Sequence, residues 1–181
     1  MVPDRLATGG WAYDPTAYAP GHGRGPLNRS VVVAQGLKGH AEMTSELERD
    51  KELVRRLVVE AINDDKLAVL DEVCTERLAL ELREWFAPFR AGFPDWRQEI
   101  VDLVAENVTV VARCVCRGTN LGTWLGVPPT GRSMRVDEVW FFTVAEGRLD
   151  RMWSLEDTWS RLLQLGTAEQ ALEAARTDHR T

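Results

Sequence analysis

The sequence contains only three histidines and three cysteines among its 181 residues. The histidines are His22, His40 and His179, and none lies between residues 45 and 166, where the periodic apolar residues are concentrated. A catalytic Ser-His or Cys-His pair, or a zinc or iron site with histidine ligands, therefore lacks its main residue type there. Both tyrosines lie within the first 18 residues. If this domain is an enzyme, carboxylates must transfer its protons, and we expect no metal and no other cofactor.

The sequence also lacks a basic stripe, a membrane-length apolar run and a disulfide pattern. Its formal net charge is −6 and its 22 lysines and arginines are scattered, which argues against nucleic acid or an anionic membrane as a partner. The first ten residues have no apolar signal-peptide core, so we expect a soluble, cytoplasmic protein. Cys114 and Cys116 share one face of a predicted strand, where small buried thiols are more common than a metal site.

Composition divides the chain into one domain and two tails. Residues 1–43 are rich in glycine, proline and small polar residues, which predicts a flexible arm that folding does not require. Residues 31–33 could add one short strand to the fold. The domain is predicted over residues 44–167, and residues 168–181 form a C-terminal tail.

Helical periodicity dominates the first half of this domain. A capping box at Ser45 and the apolar residues after it predict a first helix that ends near residue 63. Asp64 or Asp65 would cap a short second helix. Thr75 would open a third helix, which Pro88 kinks or stops. The apolar stripe of the third helix consists of Leu78, Leu82, Trp85, Phe86 and Phe89.

Alternating and β-branched residues predict four strands in the second half of the domain. They cover residues 96–104, 108–117, 132–144 and a segment that begins at residue 148. Helices followed by an antiparallel four-stranded meander and a closing helix predict an α+β fold. A strongly curved sheet wrapped on three N-terminal helices would form a cone, and the mouth of the cone would be a pocket.

The hairpin signal at residues 146–147 fixes the expected register of the last two strands. If Ala145 pairs with Arg148, Trp140 lies opposite Trp153 on one largely apolar face. A register shifted by one residue would send Trp153 to the opposite side of the sheet. We therefore expect the first register.

This register places Asp157 and Glu138 on the same face, about 7–8 Å apart between Cα atoms. Asp157 is the leading candidate for acid/base catalysis, because apolar walls would raise the pKa of its carboxyl group. Its alternative role is the N-cap of the last helix. Glu138 is either a second acid/base group or the ion-pair partner of Arg151, and the pair is favoured because an unpaired buried carboxylate is unfavourable. Glu156 would point to the opposite face.

Four motifs occur together in a characteristic order. They are Phe-Pro-Asp at residues 93–95, RGTNLGTWLGVPPTGR at 117–132, the Glu-Gly hairpin, and WSLEDTWSRLLQLG at 153–166. With these motifs, residues 46–166 resemble the SnoaL-like polyketide cyclase family of the nuclear-transport-factor-2-like superfamily. The resemblance implies a cone with an apolar pocket. It also implies a cofactor-free enzyme that closes a ring by intramolecular aldol addition.

The resemblance also assigns individual residues. Asp157 occupies the position of the family's acid/base aspartate, whereas Asn120 replaces a histidine that the family often has, and a second family histidine has no counterpart. Asn120 would either donate a hydrogen bond to a substrate oxygen or turn the glycine-rich loop. Trp124 and the prolines at 128–129 would form a lid or a rigid anchored loop. The other candidates for the pocket wall are Trp85, Phe89, Trp96, Trp140, Arg151 and Trp153. The aromatic ones are first of all core residues, and only some of them would line a cavity.

The sequence thus predicts a cofactor-independent enzyme of secondary metabolism that acts on a hydrophobic polyketide-like or polycyclic molecule. Proton removal next to a carbonyl group would lead to cyclisation, isomerisation or dehydration. One alternative is an epoxide-opening enzyme that uses Asp157 and Glu138. Another is a non-catalytic ligand-binding module, which an exposed, capping Asp157 would favour. We also expect a homodimer through the outer sheet face, where Val139, Phe141 and Met152 alternate with charged residues.

Overall fold

The computed structural model describes the backbone of residues 29–126 and 128–169, and the side chains of residues 43–126 and 128–169. The chain divides into two compact units, residues 1–41 and 42–181. Within the described residues, four α-helices, one π-helical segment and one four-stranded antiparallel sheet give the predicted α+β fold, which is confirmed. The elements in order are α1 (Arg29–Arg56), a π-helical segment (Leu57–Asn63), α2 (Val69–Val73), α3 (Glu76–Gly92), β1 (Arg97–Glu106), β2 (Thr109–Thr119), β3 (Ser133–Ala145), β4 (Arg148–Glu156) and α4 (Thr158–Leu165).

The first helix begins well before the predicted capping box. α1 starts at Arg29 and runs through Ser45 without a break, so Ser45 is not an N-cap and residues 31–33 are helical. Good helix formers precede Ser45, so the same Ser-x-x-Glu pattern lies inside a helix. The predicted boundaries of the arm and the C-terminal tail stay predictions, because residues 1–28 and 170–181 lie outside the described part.

The turns between the helices also differ from the predicted caps. Asp65 has a positive φ of 59° and belongs to the turn after the π-helical segment, while the N-cap of α2 is Ala68. Thr75 is the N-cap residue of α3, as predicted, but its hydroxyl bonds to Asp150 Oδ1 at 3.2 Å instead of capping the helix. Pro88 lies inside α3, which continues to Gly92.

The aromatic stripe of α3 packs against the inner face of the sheet. The Phe86 and Trp96 rings meet edge to face with centroids 5.1 Å apart, and Phe89 contacts Trp96 in the same way at 4.8 Å. Trp140 and Phe142 of β3 are fully buried on the same side. A cluster of aromatic side chains therefore lies between α3 and the inner face of the sheet.

The loop from β2 to β3 is fixed against the end of α3. The N–H groups of Leu121 and Gly122 both donate to the Gly92 carbonyl oxygen, at 3.0 and 3.1 Å. A Cβ atom on Gly122 would lie 2.0 Å from the Ala91 carbonyl oxygen, so only glycine fits there. The glycines of this loop thus permit a close approach of two backbones.

The β3–β4 hairpin has the predicted turn. Ala145 pairs with Arg148, and the turn residues Glu146 and Gly147 have φ values of 52° and 71°. Two consecutive positive φ values are characteristic of a type I′ turn, whose twist matches that of the paired strands.

A β-bulge follows within two residues of this turn. Val144 pairs with Leu149, but Thr143 pairs with Arg151, so Asp150 is an extra residue in β4. A bulge of this kind moves every later side chain of the strand to the other face.

The bulge reverses the predicted faces of β4. Trp140 lies opposite Ser154, and Trp153 lies opposite Phe141, so the predicted pairing of Trp140 with Trp153 is wrong. Trp153 is 45% exposed on the outer face, with its ring centroid 5.3 Å from that of Phe141, and Leu155 is 61% exposed. The outer face therefore carries an exposed apolar strip.

The predicted dimer face changes accordingly. Val139 and Phe141 lie on the outer face, whereas Met152 pairs with Phe142 and faces inward. Trp153 and Leu155 take the place of Met152 in the outer strip.

We expect a homodimer that buries this strip. Trp153→Asp should convert the dimer to a monomer, because the change would place a charge in an apolar interface. Sedimentation velocity at micromolar concentration measures the change, and Leu163→Asp, at an exposed leucine of α4, is the matched control. A wild-type protein that sediments only as a monomer would contradict the prediction.

Candidate functional site

Glu138 is a carboxylate buried in the interior of the sheet. β3 places it on the inner face beside Trp140, with 2% of its surface exposed. Its Oε1 accepts a hydrogen bond from Arg161 Nη2 at 2.8 Å. Its Oε2 accepts bonds from Gln98 Nε2 at 2.6 Å and from Trp140 Nε1 at 3.1 Å. The carboxylate is thus paired and hydrogen-bonded on both oxygens.

Arg161 connects Glu138 to a second carboxylate. Its Nη1 donates to Glu156 Oε1 at 2.5 Å, and Glu156 lies directly opposite Glu138 on β4. The Arg161 side chain is fully buried, with its Cζ 5.2 Å from the ring centroid of Phe89 and 5.3 Å from that of Trp124. The Glu156 side chain is 29% exposed. A charged network therefore runs from the core to the surface at the end of β4.

Two sequence predictions about this network are wrong. Arg151 is not the partner of Glu138, since its exposed guanidinium lies 3.6 Å from Asp150. Glu156 was expected on the opposite face but lies on the inner one. Both differences follow from the extra residue at Asp150, which inverts the later part of β4.

Burial and the neighbouring hydrogen-bond donors have opposite effects on the pKa of Glu138. Burial raises the pKa of the Glu138 carboxyl group, while Arg161 and the Gln98 amide lower it and Glu156 raises it further. We conclude that its pKa is above the ordinary glutamate value. The nearby Cys116 thiol bonds to Glu138, and burial raises the pKa of this thiol as well, which keeps it protonated.

Three buried polar atoms around this network have no hydrogen-bond partner among the described residues. They are the donors Trp96 Nε1 and Arg161 Nε and the acceptor Gln98 Oε1. Buried polar groups in proteins are normally satisfied, so such atoms indicate a place for a ligand or a bound water.

Asp157 caps α4. Its Oδ1 accepts a hydrogen bond from the Ser160 N–H at 2.9 Å, and its side chain is exposed. The apolar walls expected around it do not form, because Trp153 lies on the outer face and Trp140 on the inner one. The N-cap role is confirmed, and a catalytic role for Asp157 stays a prediction.

Asn120 and Trp124 hold the loop together. The Asn120 amide donates to the Gly122 carbonyl oxygen at 2.8 Å, and its Oδ1 accepts from the Thr130 N–H at 2.9 Å. Trp124 is buried with its ring centroid 5.5 Å from that of Phe93. The structure thus shows Asn120 turning the loop and Trp124 anchoring it, while their contact with a substrate stays a prediction.

Trp85 is the exposed member of the aromatic cluster. It is 36% exposed, and its ring centroid lies 5.6 Å from those of Phe89 and Trp96 and 6.4 Å from that of Trp140. On the same inner face, Ser154 of β4 is also exposed. Of the predicted wall residues, the structure therefore brings together Trp85, Phe89, Trp96, Trp124 and Trp140, but neither Arg151 nor Trp153.

The central residue that the sequence prediction missed is Arg161. Arg161 and Leu165 are four residues apart in α4, so they lie on the same helix face, and both side chains are buried. An arginine on the apolar stripe of an amphipathic helix is a signal for a buried partner.

Residues 29–126 and 128–169 are the part of the chain that the structure describes. These ranges contain no group of three or more His, Cys, Asp or Glu side chains that could hold a metal ion. None of their helices combines the length and hydropathy needed to cross a membrane.

The sequence and the fold match known proteins. A profile described as SnoaL-like polyketide cyclase matches residues 52–165. A candidate SnoaL-like polyketide cyclase from Jannaschia sp. CCS1 is 24% identical, with 67% of this chain and 94% of that chain covered and a TM-score of 0.63. IdmH, a candidate polyketide cyclase from Streptomyces antibioticus, is 27% identical, with 65% and 98% covered and a TM-score of 0.56.

TsrD from Streptomyces laurentii has the same fold, with 23% identity, 66% and 96% of the two chains covered and a TM-score of 0.58. A search of curated proteins gave no significant match. Because the family profile covers more than half of the chain, this protein belongs to the SnoaL-like polyketide cyclase family.

Proposed function

We propose that this protein is a cofactor-independent cyclase or isomerase that removes a proton next to a carbonyl group of a polyketide-like substrate. Membership of the SnoaL-like polyketide cyclase family supports a cyclase-type enzyme. The observation that carries the proposal is the network of Glu138, Arg161 and Glu156. It joins a buried carboxylate to one that a substrate can reach.

Glu156 is the general base in this proposal. Its Oε1 accepts hydrogen bonds from Arg161 at 2.5 Å and from the Thr158 hydroxyl at 2.9 Å. No hydrogen bond within the described residues uses its Oε2. These contacts hold the carboxylate in one orientation and leave one oxygen free to accept a proton.

Glu138 acts through Arg161 as a positioning residue. The buried carboxylate holds the guanidinium by the 2.8 Å bond to Nη2, which leaves Nη1 directed at Glu156. When Glu156 takes a proton, its charge is lost and Arg161 keeps a complete ion pair with Glu138. The guanidinium therefore remains compensated in both protonation states of the base.

The aromatic cluster supports a flat, apolar substrate. Trp85 presents an exposed ring next to Trp96, whose Nε1 has no hydrogen-bond partner in the described part of the chain. A substrate ring that stacks on Trp85 would bury apolar surface.

Asp157 is the second candidate for the base. It follows Glu156 directly and occupies the position that the family resemblance assigns to the acid/base residue. Its Oδ1 is used by the Ser160 N–H, while no hydrogen bond from a described residue uses its Oδ2. The epoxide-opening alternative, in which Asp157 and Glu138 work together, gains no support, since the two carboxylates have no hydrogen-bond partner in common.

Proton removal can be measured before the natural substrate is identified. With a panel of aromatic β-keto esters in D₂O, the wild type should accelerate exchange of the C–H between the two carbonyl groups for deuterium, as followed by ¹H NMR. Glu84→Gln, a change at an exposed carboxylate of α3, should exchange as fast as the wild type.

Absence of acceleration with every ester would contradict the proposal. Line broadening that shows binding without exchange would favour the non-catalytic binding module, which the exposed, capping Asp157 also favours.

A further inference from the structure

A groove separates α1 from the two hairpin turns at one end of the sheet. Residues 43–56 of α1 form one wall, and residues 107–108 and 144–147 of the turns form the other. Its volume is about 830 Å³, which lies within the range of about 300–1,000 Å³ that is typical of small-molecule sites. Val144 in its wall is six residues from Glu138 on β3, or about 20 Å along an extended strand, so the groove is separate from the charged network.

Asp50 is the polar side chain buried in this groove. It is only 8% exposed, and no hydrogen bond or ion pair between described residues involves its carboxylate. On α1 it lies in line with Leu47, Val54 and Leu57, where the helical period calls for an apolar residue. A buried carboxylate without a partner is unfavourable, so packing alone does not explain an aspartate at this position.

The charges that line the groove are mainly negative. Glu46, Asp50, Glu52 and Glu146 contribute carboxylates, against the guanidinium groups of Arg49 and Arg56. Two of these groups are already paired outside the groove: Arg56 with Glu60 at 2.7 Å and Glu72 at 2.6 Å, and Glu52 with Arg55 at 3.3 Å. The remaining lining charges are the carboxylates of Glu46, Asp50 and Glu146 and the guanidinium of Arg49. The lining therefore favours a cation.

Apolar side chains complete the lining beside Asp50. Leu47 and Leu53 contribute from α1, and Val108 and Val144 contribute from the turns. Burial raises the pKa of Asp50, Glu46 raises it further and Arg49 lowers it, and a bound cation would lower it as well.

We propose that this groove binds a small organic ammonium ion with an apolar body, whose charged nitrogen pairs with Asp50. The aliphatic walls cover the apolar body, and the carboxylates at the rim, such as Glu46 and Glu146, attract the cation from solution. The site is independent of the proposed cyclase reaction, because it shares no residue with the charged network.

Three indole compounds of similar size test the charge requirement on the full-length protein. Tryptamine carries an ammonium group, tryptophol a hydroxyl group and indole-3-acetate a carboxylate. Isothermal titration calorimetry should show that tryptamine binds at least about tenfold more tightly than the other two, because only the ammonium group can form a charged bond with Asp50.

Two variants locate the site, and a third serves as a control. Asp50→Asn should weaken tryptamine binding at least about tenfold and leave tryptophol binding unchanged, since the shape of the groove is kept. Val108→Trp, at an exposed position, should block tryptamine by filling the groove while Asp50 stays intact. Glu84→Gln removes a carboxylate outside the groove and should bind tryptamine like the wild type.

Equal affinities for tryptamine and tryptophol would overturn the proposal. It would also fail if tryptamine did not bind at millimolar concentration, or if Asp50→Asn or Val108→Trp bound tryptamine like the wild type. Failure here would leave the deuterium-exchange result untouched, so the two proposals stand or fall separately.

Discussion

Replacement of Arg161 by methionine should lower the free energy of unfolding by about 3–5 kcal/mol at pH 7. Methionine can fill much of the space between Phe89 and Trp124, so lost packing contributes little. The loss arises because Glu138, with 2% of its surface exposed, loses its counter-ion, so the buried carboxyl group must either stay charged without a partner or take up a proton, and both are unfavourable at pH 7. Urea denaturation followed by circular dichroism measures the change.

The destabilisation should depend on pH with a defined sign. The pKa of Glu138 is raised in the folded state, and loss of Arg161 raises it further, so the folded variant binds a proton more tightly than the unfolded chain. Stability from this group is then fully present at low pH and is lost as pH rises above the ordinary glutamate value. The difference between variant and wild type should therefore be smaller at pH 5 than at pH 7.

Two further variants separate the buried pair from a general charge effect. Arg113→Met removes an exposed arginine that bonds Asp137 at 3.0 Å, and it should be far less destabilising, since solvent screens that pair. Glu138→Leu combined with Arg161→Met should recover part of the loss, because the core then holds no charge, while Gln98 Nε2 and Trp140 Nε1 lose their shared acceptor. If the Arg161→Met variant were as stable as Arg113→Met at pH 7, Glu138 would not be a buried, charged partner.

Glu156→Gln should reduce the rate of deuterium exchange by about 10²–10⁴. Glutamine keeps the size of the side chain and can still accept hydrogen bonds from Arg161 and Thr158, but its amide cannot take a proton. Substrate binding, measured by NMR titration, should change little because the side chain shape is kept.

Asp157→Asn is the matched variant at the neighbouring carboxylate. Asparagine caps helices about as well as aspartate, so the free energy of unfolding should change by no more than about 1 kcal/mol. The exchange rate should stay near that of the wild type if Glu156 is the base. A rate loss in Asp157→Asn together with an active Glu156→Gln would transfer the catalytic assignment to Asp157.

Local sequence signals predicted those elements that depend on residues close in the chain. The stripe that contains Trp85 and Phe89 defined α3, and the Glu146-Gly147 pair defined the hairpin and its first residue pair. The alternation in β3 predicts that Glu138 and Trp140 share the inner face, and both are buried there. Each of these features is encoded within a few residues.

The features that the sequence did not predict depend on which of two local patterns prevails, or on contacts between residues that are far apart in the chain. The Ser45 motif does not reveal whether the helix has already started upstream, as α1 has at Arg29. The bulge at Asp150 has no glycine or proline to mark it, and its aspartate side chain bonds to Thr75, 75 residues away in the chain. Arg161 pairs with Glu138 across 23 residues, and no local pattern encodes that distance.

The extra residue at Asp150 links two surfaces that natural selection would otherwise modify independently. Beyond it, Glu156 and Ser154 face inward, while Trp153 and Leu155 face outward. Loss of one residue at this point would turn both sets of side chains to the opposite face. Trp153 and Leu155 would then face the interior, and the Glu156 carboxylate would face outward. In evolution, gain or loss of one residue at this position would therefore change the polarity of the interior and the apolar character of the outer face in a single step.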